Sequence, residues 1–455
     1  MSLFRKSKKP LEIGSPQSFE RVAGAKMNRD TGQLEGIPDD FFEKQRQMQA
    51  ELKTKKGKKE DLVIGAPIAG SFSHTMHVTP DPNAPSGLAG LPQEWEQMLL
   101  QSGISKQEVQ SNPDAILRIM EKNIPKAEVP SQSATDQASS GAALPTNQAL
   151  EAQLVWDKLV ESNVDVDTEY PIRKKIGEGS SGYVYVTCHN HKRIALKVML
   201  LNEQTDLLAI LSEIRMMKMC SSQENIISFH RAFSIVRGGE KQLWIAMDYA
   251  AGGSLTQVIT VNGAMPERAI AFVCREMLKA LDFLHKMHRI HRDIKSDNVL
   301  LDLDGSVRLA DFGFCAQLTE ELQKRKSVVG TPYWMSPELI QGLEYDQKTD
   351  IWSLGITALE MADSEPPLMN IPPLRALFLI ATRPPPTLNS PERWSKEFNS
   401  FLSCCLTHNT KERYTAEQLL SHPFITQKAG TKADLLPFIE ITRQRLGIDD
   451  EIPLS

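Results

Sequence analysis

Hydrophobic and polar positions divide the 455-residue chain into stretches of different period. The run Tyr183-Val184-Tyr185-Val186 is β-branched and aromatic throughout and predicts a strand. Ile194-Ala195-Leu196-Lys197-Val198 predicts a second strand, apolar but for one lysine, and Val307-Arg308-Leu309-Ala310 a third. Leu207 to Met219 reads as helical. Earlier, Gly90-Leu91-Pro92-Gln93-Glu94-Trp95 opens a helix that runs through Leu100. Its proline lies in the first turn and its acids lie near the positive end of the helix dipole. Ser105 to Glu121 is amphipathic and places Ile116, Leu117, Ile119 and Met120 on one side. Residues 125–148 are rich in Ser, Ala, Gln, Thr and Pro, a composition that buries too little apolar surface to order itself, and predict a flexible linker.

Chemistry enters with one polar loop. His291-Arg292-Asp293-Ile294-Lys295-Ser296-Asp297-Asn298 offers a carboxylate, a cation and a carboxamide at the offsets that phosphoryl transfer needs. Asp293 can accept or orient a hydroxyl proton, Lys295 can neutralise the transferred phosphoryl, and Asn298 can hold a metal ion. Other pieces stand in matching order. Gly177, Gly179 and Gly182 let the backbone approach phosphate oxygens without a Cβ in the way, although such triplets also close ordinary hairpins. Lys197 is either a gatekeeper on an edge strand or a phosphate-pairing cation, and Glu213 is the counter-charge a buried cation needs. Asp311-Phe312-Gly313 adds a second metal-binding group. Magnesium favours a few hard oxygens plus water, so Asp311, Asn298 and nucleotide phosphates suffice. Glu338, in Ser336-Pro337-Glu338, calls for a distant arginine, with Arg413 the candidate.

With these motifs in order, residues ~170–425 resemble a eukaryotic protein kinase domain. The resemblance implies an α+β, two-lobed protein kinase fold with a largely disordered N-terminal regulatory region. It also implies ATP and Mg2+ as cofactors, held between the lobes. Nucleotide contacts would come from Gly177, Gly179, Gly182, Val184 and Lys197, with Met247 at the back of the adenine pocket and a hinge at Asp248-Tyr249-Ala250. Asp293, Lys295, Asn298, Lys197 and Glu213 would form the catalytic group, and Asn298 and Asp311 would hold the metal. Gly330-Thr331-Pro332-Tyr333-Trp334-Met335 resembles the PAK family of small-GTPase-activated serine/threonine kinases, sterile-twenty-like in superfamily. Thr331 beside Asp293 and Lys295 favours a Ser/Thr acceptor. In that family an activating phosphoacceptor sits at the position of Ser327, here behind Lys324, Arg325 and Lys326, and its phosphate would pair with Arg292. Ser336 replaces the usual alanine of Ala-Pro-Glu. Ser327 follows one PAK subgroup, whereas Leu374-Arg375-Ala376-Leu377 and Asp297-Asn298 look like the other, so the subgroup stays open. Gln257 stands where an acid often does, which softens the family's preference for basic residues before the acceptor. The alternative reading is a GTPase-binding scaffold with weak or absent kinase activity. The presence of Lys197, Asp293 and Asp311 argues against it.

Ahead of the kinase-like part, Ile64 to Val78 resembles the CRIB motif, which binds GTP-loaded Rac-type and Cdc-type small GTPases. The matching positions are Ile64, Pro67, Phe72, His74, His77 and Val78, while Gly65 and Thr79 depart from the usual residues. An extended segment with alternating anchors can add a strand to a GTPase sheet edge. The helical stretches that follow resemble the autoinhibitory region of the PAK family, which packs on the kinase's large lobe. So short an element scarcely buries a core alone. GTPase binding would then compete with inhibitory packing, and self-association in the inhibited state fits the same scheme. Residues 13–46 repeat part of the pattern without the histidines, as a degenerate CRIB-like element or by coincidence. Lys53, Lys55, Lys56, Lys58 and Lys59 form a basic run. It reads as a solvated linker, as steering toward an acidic GTPase surface, or as peripheral contact with anionic membrane. The expected division is 1–63 basic and mostly disordered, 64–124 GTPase-binding and autoinhibitory, 125–168 flexible linker, 169–425 kinase domain and 426–455 C-terminal extension.

Composition narrows the remainder. With 41% hydrophobic and 24% charged residues the chain can bury a sizeable core, and a net charge of −5 gives no overall pull toward nucleic acid. The cysteines show no metal spacing, and Cys404-Cys405 in an apolar stretch predicts helix core. Met1 to Lys6 has no apolar signal core, Ser2 stands where myristoylation needs glycine, and no run approaches ~20 apolar residues. A soluble, cytoplasmic signalling protein is expected, acting on the cytoskeleton and recruited there or to the plasma membrane.

Overall fold

The computed structural model describes residues 26–27, 34–35, 78–123, 146–162, 164–179, 182–202, 205–313, 315–317 and 331–447. Ile64, Pro67, Phe72, His74, His77, Ser327 and the basic run lie outside them. Residues 1–74 and 75–455 form separate units. In the first, Lys26–Met27 (β1) and Leu34–Glu35 (β2) pair antiparallel, with Lys26 opposite Glu35.

The second unit opens with the short pair Thr79–Pro80 (β3) and Leu88–Ala89 (β4). Helices Gln93–Gln101 (α1), Lys106–Ser111 (α2) and Pro113–Asn123 (α3) follow. The amphipathic stretch 105–121 is therefore two helices, not one. Ser105 caps α2 in a reciprocal pair with Glu108, and Pro113 drives the residue before it out of helical geometry, to φ −140° at Asn112.

The expected linker 125–168 is corrected over its second half. Thr146–Leu159 (α4), Glu161–Ser162 (β5) and Val166–Glu169 (α5) are regular structure. Val155, Trp156, Leu159 and Val160 repeat at helical spacing and pack into the core, so this helix has something to bury. The Ser/Ala/Gln/Pro-rich composition stops short of that stripe.

The small lobe is a twisted sheet of Ile172–Gly179 (β6), Gly182–His189 (β7), Lys192–Leu201 (β8), Phe229–Arg237 (β9) and Glu240–Asp248 (β10). The strand order is β5-β9-β10-β8-β7-β6, antiparallel except for β5 on β9. Leu207–Cys220 (α6) connects β8 to β9 and packs on β9.

Gly253–Ser254 (β11), Leu255–Asn262 (α7) and Glu267–Lys286 (α8) begin the large lobe. Short strands Arg289–Ile290 (β12), Val299–Leu301 (β13), Val307–Leu309 (β14) and Ala316–Gln317 (β15) carry the polar motifs between them. Next come Pro337–Ile340 (α9), Lys348–Asp363 (α10), Pro373–Thr382 (α11), Lys396–Cys405 (α12), Ala416–Leu420 (α13), Pro423–Lys428 (α14) and Leu436–Leu446 (α15). α10 is buried from Thr349 to Ala362, and at Gly355 a Cβ would stand 2.8 Å from Cys405 Cβ, so glycine sets how closely α12 packs. Cys405 is buried on α12, as the apolar context predicts. The large lobe also continues past residue 425. Leu435 and Ile439 enter the main core, and Asn262 Nδ2 donates to Thr442 Oγ1 (2.9 Å) and Phe438 O (3.3 Å). Among the described residues no helix is long and apolar enough to cross a membrane.

Two buried polar inclusions tie the lobe together. Arg413 forms a fork on Glu338 (Nη1–Oε1 2.6 Å, Nη2–Oε2 3.0 Å), the pairing expected from sequence, with the guanidinium over the Trp352 ring. Glu360 on α10 accepts from Ser296 Oγ (2.5 Å) and Trp334 Nε1 (3.1 Å). Burial pushes its carboxyl up to about 7, against those hydrogen bonds. Arg413→Ala strands the Glu338 carboxylate and should cost about 3–5 kcal/mol in urea unfolding; a loss under ~1 kcal/mol would contradict the fork's importance. Glu360 binds its proton more tightly folded than unfolded, so its contribution to stability falls as pH rises from its ordinary 4.5 through about 7. The Tm of Glu360→Gln relative to the parent should therefore climb between pH 5 and 8, and a pH-independent difference would contradict this.

Candidate active site

The glycine segment lies at the β6–β7 hairpin, with Gly177 opposite Val184 and Gly179 opposite Gly182. Gly182 has φ +142°, and a Cβ there would fall 2.0 Å from Val198 O, so only glycine fits. Val184 on β7 stands directly opposite Lys197 on β8, which puts both on one face of the sheet. Lys197 Nζ reaches Glu213 Oε1 on α6 at 2.7 Å and Asp311 Oδ1 at 3.9 Å. Burial alone would lower the lysine's pKa, but the charges of Glu213 and Asp311 outweigh it and hold the cation ionised. Lys197 is thus a central-strand cation with a partner, and the edge-gatekeeper reading falls away.

Met247 pairs with Ala195 across β10 and β8. The Asp248 side chain is fully engaged: Oδ1 takes Lys192 Nζ and His230 Nε2 at 2.8 Å each, and Oδ2 takes Arg308 Nη1 at 2.6 Å. Burial would raise this carboxyl, and those partners hold it below the usual range. What the hinge offers a nucleotide at Asp248 is therefore main chain. Ala250 is buried beside it.

Asp293 is buried, and its Oδ2 accepts from Asn298 Nδ2 (2.9 Å) and faces Lys295 Nζ (3.0 Å). Lys295 Nζ in turn donates to Thr331 Oγ1 (2.9 Å). Asn298 Nδ2 also donates to Asp293 O (2.7 Å), so both amide hydrogens are spent and the carboxamide oxygen is left to accept a cation. Ala310 N donates to Asn298 O (2.9 Å), which brings Asp311, whose carboxylate is 45% exposed, next to that loop. Asn298 and Asp311 are hard oxygen donors and fit Mg2+ completed by phosphates and water. No cluster of three or more His, Cys, Asp or Glu side chains stands ready to hold a metal among the described residues.

Several supporting residues escaped the sequence reading. Asp350 at the start of α10 accepts from His291 N (3.0 Å), Arg292 N (2.8 Å) and His285 Nε2 (2.9 Å). His291 Nδ1 accepts from Asp293 N (3.3 Å), so its Nε2–H donates to Ala310 O (3.2 Å), and its ring meets Phe312 edge-on at 5.3 Å. Burial pushes this imidazole's pKa down. Arg292 Nη1 donates to Tyr345 Oη (3.1 Å). An acid opening an apolar helix, as in Thr349-Asp350-Ile351-Trp352, is the one trace of this support in the sequence.

The helices before the lobes complete the picture. Leu88, Trp95, Leu99, Ile104, Val109, Ile116, Ile119 and Met120 form one core with Met335, Leu339, Ile340, Leu377, Phe378 and Leu379. Val78 and Tyr345 pack at its margin. Glu108 on α2 faces Arg375 (3.6 Å) and Arg383 (3.9 Å) on and just beyond α11.

Residues 170–425 match the protein kinase domain family, and residues 63–122 match the P21-Rho-binding domain. The serine/threonine-protein kinase pakC of Dictyostelium discoideum is 40% identical over 95% of this chain and 85% of its own length. The serine/threonine-protein kinase PAK 1 of Mus musculus is 46% identical over 62% of the chain and 50% of its own length. CLA4 of Candida albicans is 46% identical over 63% of the chain and 30% of its own. The chain belongs to the PAK family of serine/threonine protein kinases and carries a P21-Rho-binding domain ahead of its protein kinase domain.

Proposed function

We propose that this kinase transfers the γ-phosphoryl of ATP to protein serine or threonine and is held idle until a GTP-loaded Rac/Cdc-type GTPase displaces residues 78–123. In this reading Asp293 orients and deprotonates the acceptor hydroxyl, and Lys295 neutralises charge on the transferred group. Lys197, set by Glu213, would pair with the nucleotide phosphates; Asn298 and Asp311 would hold Mg2+, which would supply positive charge to offset that of the phosphates. Thr331, on Lys295, lies where an acceptor would approach. Ile64, Pro67, Phe72, His74, His77 and Val78 would anchor the GTPase, and a phosphate on Ser327 would draw Arg292 away from Tyr345.

The observation that carries the regulatory part is a coincidence of two states in one structure. The Lys197–Glu213 pair is closed at 2.7 Å while the N-terminal helices are buried on α9 and α11. Inhibition therefore need not dismantle the nucleotide end. It bears on the segment just after Thr331, through Met335, Leu339 and Ile340, and reaches the catalytic loop through Tyr345 and Arg292. The Rac/Cdc-type GTPase would win by taking the segment that leads into β3, since Val78, which packs at the margin of the shared core, cannot serve both partners.

Ile119 is wholly buried in this contact, on α3 ahead of the kinase domain. Ile119→Asp puts an unpaired charge there, at a cost of roughly several kcal/mol, and each ~1.4 kcal/mol shifts docking tenfold. Basal peptide phosphorylation by the full chain should rise at least tenfold without GTPase, and Asp293→Asn in the same background should abolish it. Unchanged basal activity would contradict inhibition by these helices, and activity retained by the Asp293→Asn double variant would contradict the role of Asp293.

A further inference from the structure

The geometry points to α4, the helix Thr146–Leu159, as a positioning element for the Lys197–Glu213 pair, with Trp156 as the side chain that holds it. The inference rests on the reading of that pair as the phosphate-binding couple, and adds a residue outside the kinase domain to it.

α4 packs along α6, the helix that carries Glu213. Trp156 and Val160 are buried in the same core as Ile210, Leu211 and Ile214, the apolar face that flanks Glu213. On its other side the Trp156 ring lies 5.5 Å beneath Lys241 Nζ of β10. β10 is the neighbour of β8, and its Ile245 stands directly opposite Lys197. The indole therefore meets β10 through Lys241, on a helix packed against α6 and in the cluster that holds the apolar face of α6.

The helix is also fixed in place along its axis. Immediately after it, β5 pairs with β9, and Glu161 grips Arg231 through two bonds, Nε–Oε1 at 3.0 Å and Nη2–Oε2 at 2.6 Å. Glu169 holds the same guanidinium from the far end of the segment, Nη1–Oε2 at 2.7 Å. Residues 160–169 thus clamp α4 to the sheet. α6 begins with Leu207 and Leu208 largely exposed, 40% and 44%, while Ile210, Leu211 and Ile214 further along are buried in the cluster that holds Trp156. A displacement near 1 Å of a positioning group can cost about a hundredfold in rate, and the packing of α4 on α6 is what opposes one here.

The test is a double-mutant cycle in the full-length chain, with kcat and KM for peptide and hydrogen exchange as readouts. Trp156→Ala should lower kcat about tenfold with peptide KM within about twofold, and Trp156→Phe, which keeps a ring, should recover most of it. In the Glu213→Gln background the same Trp156→Ala change should cost less than about twofold, because the pair it positions is already broken. Exchange should quicken over residues 207–220 and not over 348–363. An unchanged kcat, an equal loss in the Glu213→Gln background, a phenylalanine variant as slow as alanine, or exchange rising in α10 as much as in α6 would each overturn the inference. Glu213→Gln alone is the separate check: if it leaves kcat intact, the underlying reading of the ion pair fails instead.

Discussion

Asp350 lies fully buried at the start of α10 and takes hydrogen bonds from the main-chain N–H groups of His291 and Arg292 and from the His285 ring. Burial by itself would push this carboxyl up; His285 and the N–H donors outweigh it and hold the carboxylate ionised. The bonds to consecutive amides fix a turn that the backbone would not choose. Arg292 has φ +68°, a left-handed conformation that costs a non-glycine residue roughly 1–3 kcal/mol. That turn aims Asp293 at Lys295 and Asn298, and the His291 ring carries the same constraint across to Ala310, next to Asp311. The polar octamer is held by an apolar helix beneath it that presents two carboxyl groups, Asp350 to the main chain of His291 and Arg292 and Glu360 to Ser296.

Around this anchor the two ends of the site are held by different elements. The nucleotide end depends on the small-lobe sheet and α6, where Lys197 and Glu213 are already closed. The acceptor end depends on the segment from Thr331 to Ile340, and that segment forms part of the core that buries Leu99, Ile116, Ile119 and Met120. A switch that acts on one end and leaves the other assembled needs only to break a local contact. Each large apolar side chain lost from that contact is worth roughly 2–5 kcal/mol. Competition by a binding partner of ordinary affinity can supply energy of that order.

The sequence exposed the chemistry more fully than the support. Asp293, Lys295, Asn298, Lys197, Glu213 and Asp311 were legible because phosphoryl transfer needs fixed residue types at fixed offsets; the structure joins Asp293, Lys295 and Asn298 in one set of contacts and Lys197, Glu213 and Asp311 in another, linked by the Ala310 N–H on Asn298 O. Glu338 and Arg413 were legible for a related reason, since a buried carboxylate demands a counter-charge. Asp350, Tyr345 and the partners of Asp248 were not, because each acts through contacts between residues far apart in sequence. The helix at 146–159 was missed because its apolar stripe directly follows a low-complexity stretch, and composition averages over both. The break at Asn112-Pro113 was readable from the proline alone. Ser327 and the anchors from Ile64 to His77 lie outside the described residues, and their roles stand on the resemblance.

The central claim is that the docked helices idle the kinase at the acceptor end while the nucleotide end stays assembled. Its most direct test is ATP·Mg2+ affinity of the full chain, measured by calorimetry with and without a GTP-loaded Rac/Cdc-type GTPase, beside peptide turnover under the same conditions. The account predicts turnover rising at least tenfold while the nucleotide Kd moves less than about twofold. A Kd that tightens in step with turnover would show that the helices act on the nucleotide end, and would contradict it.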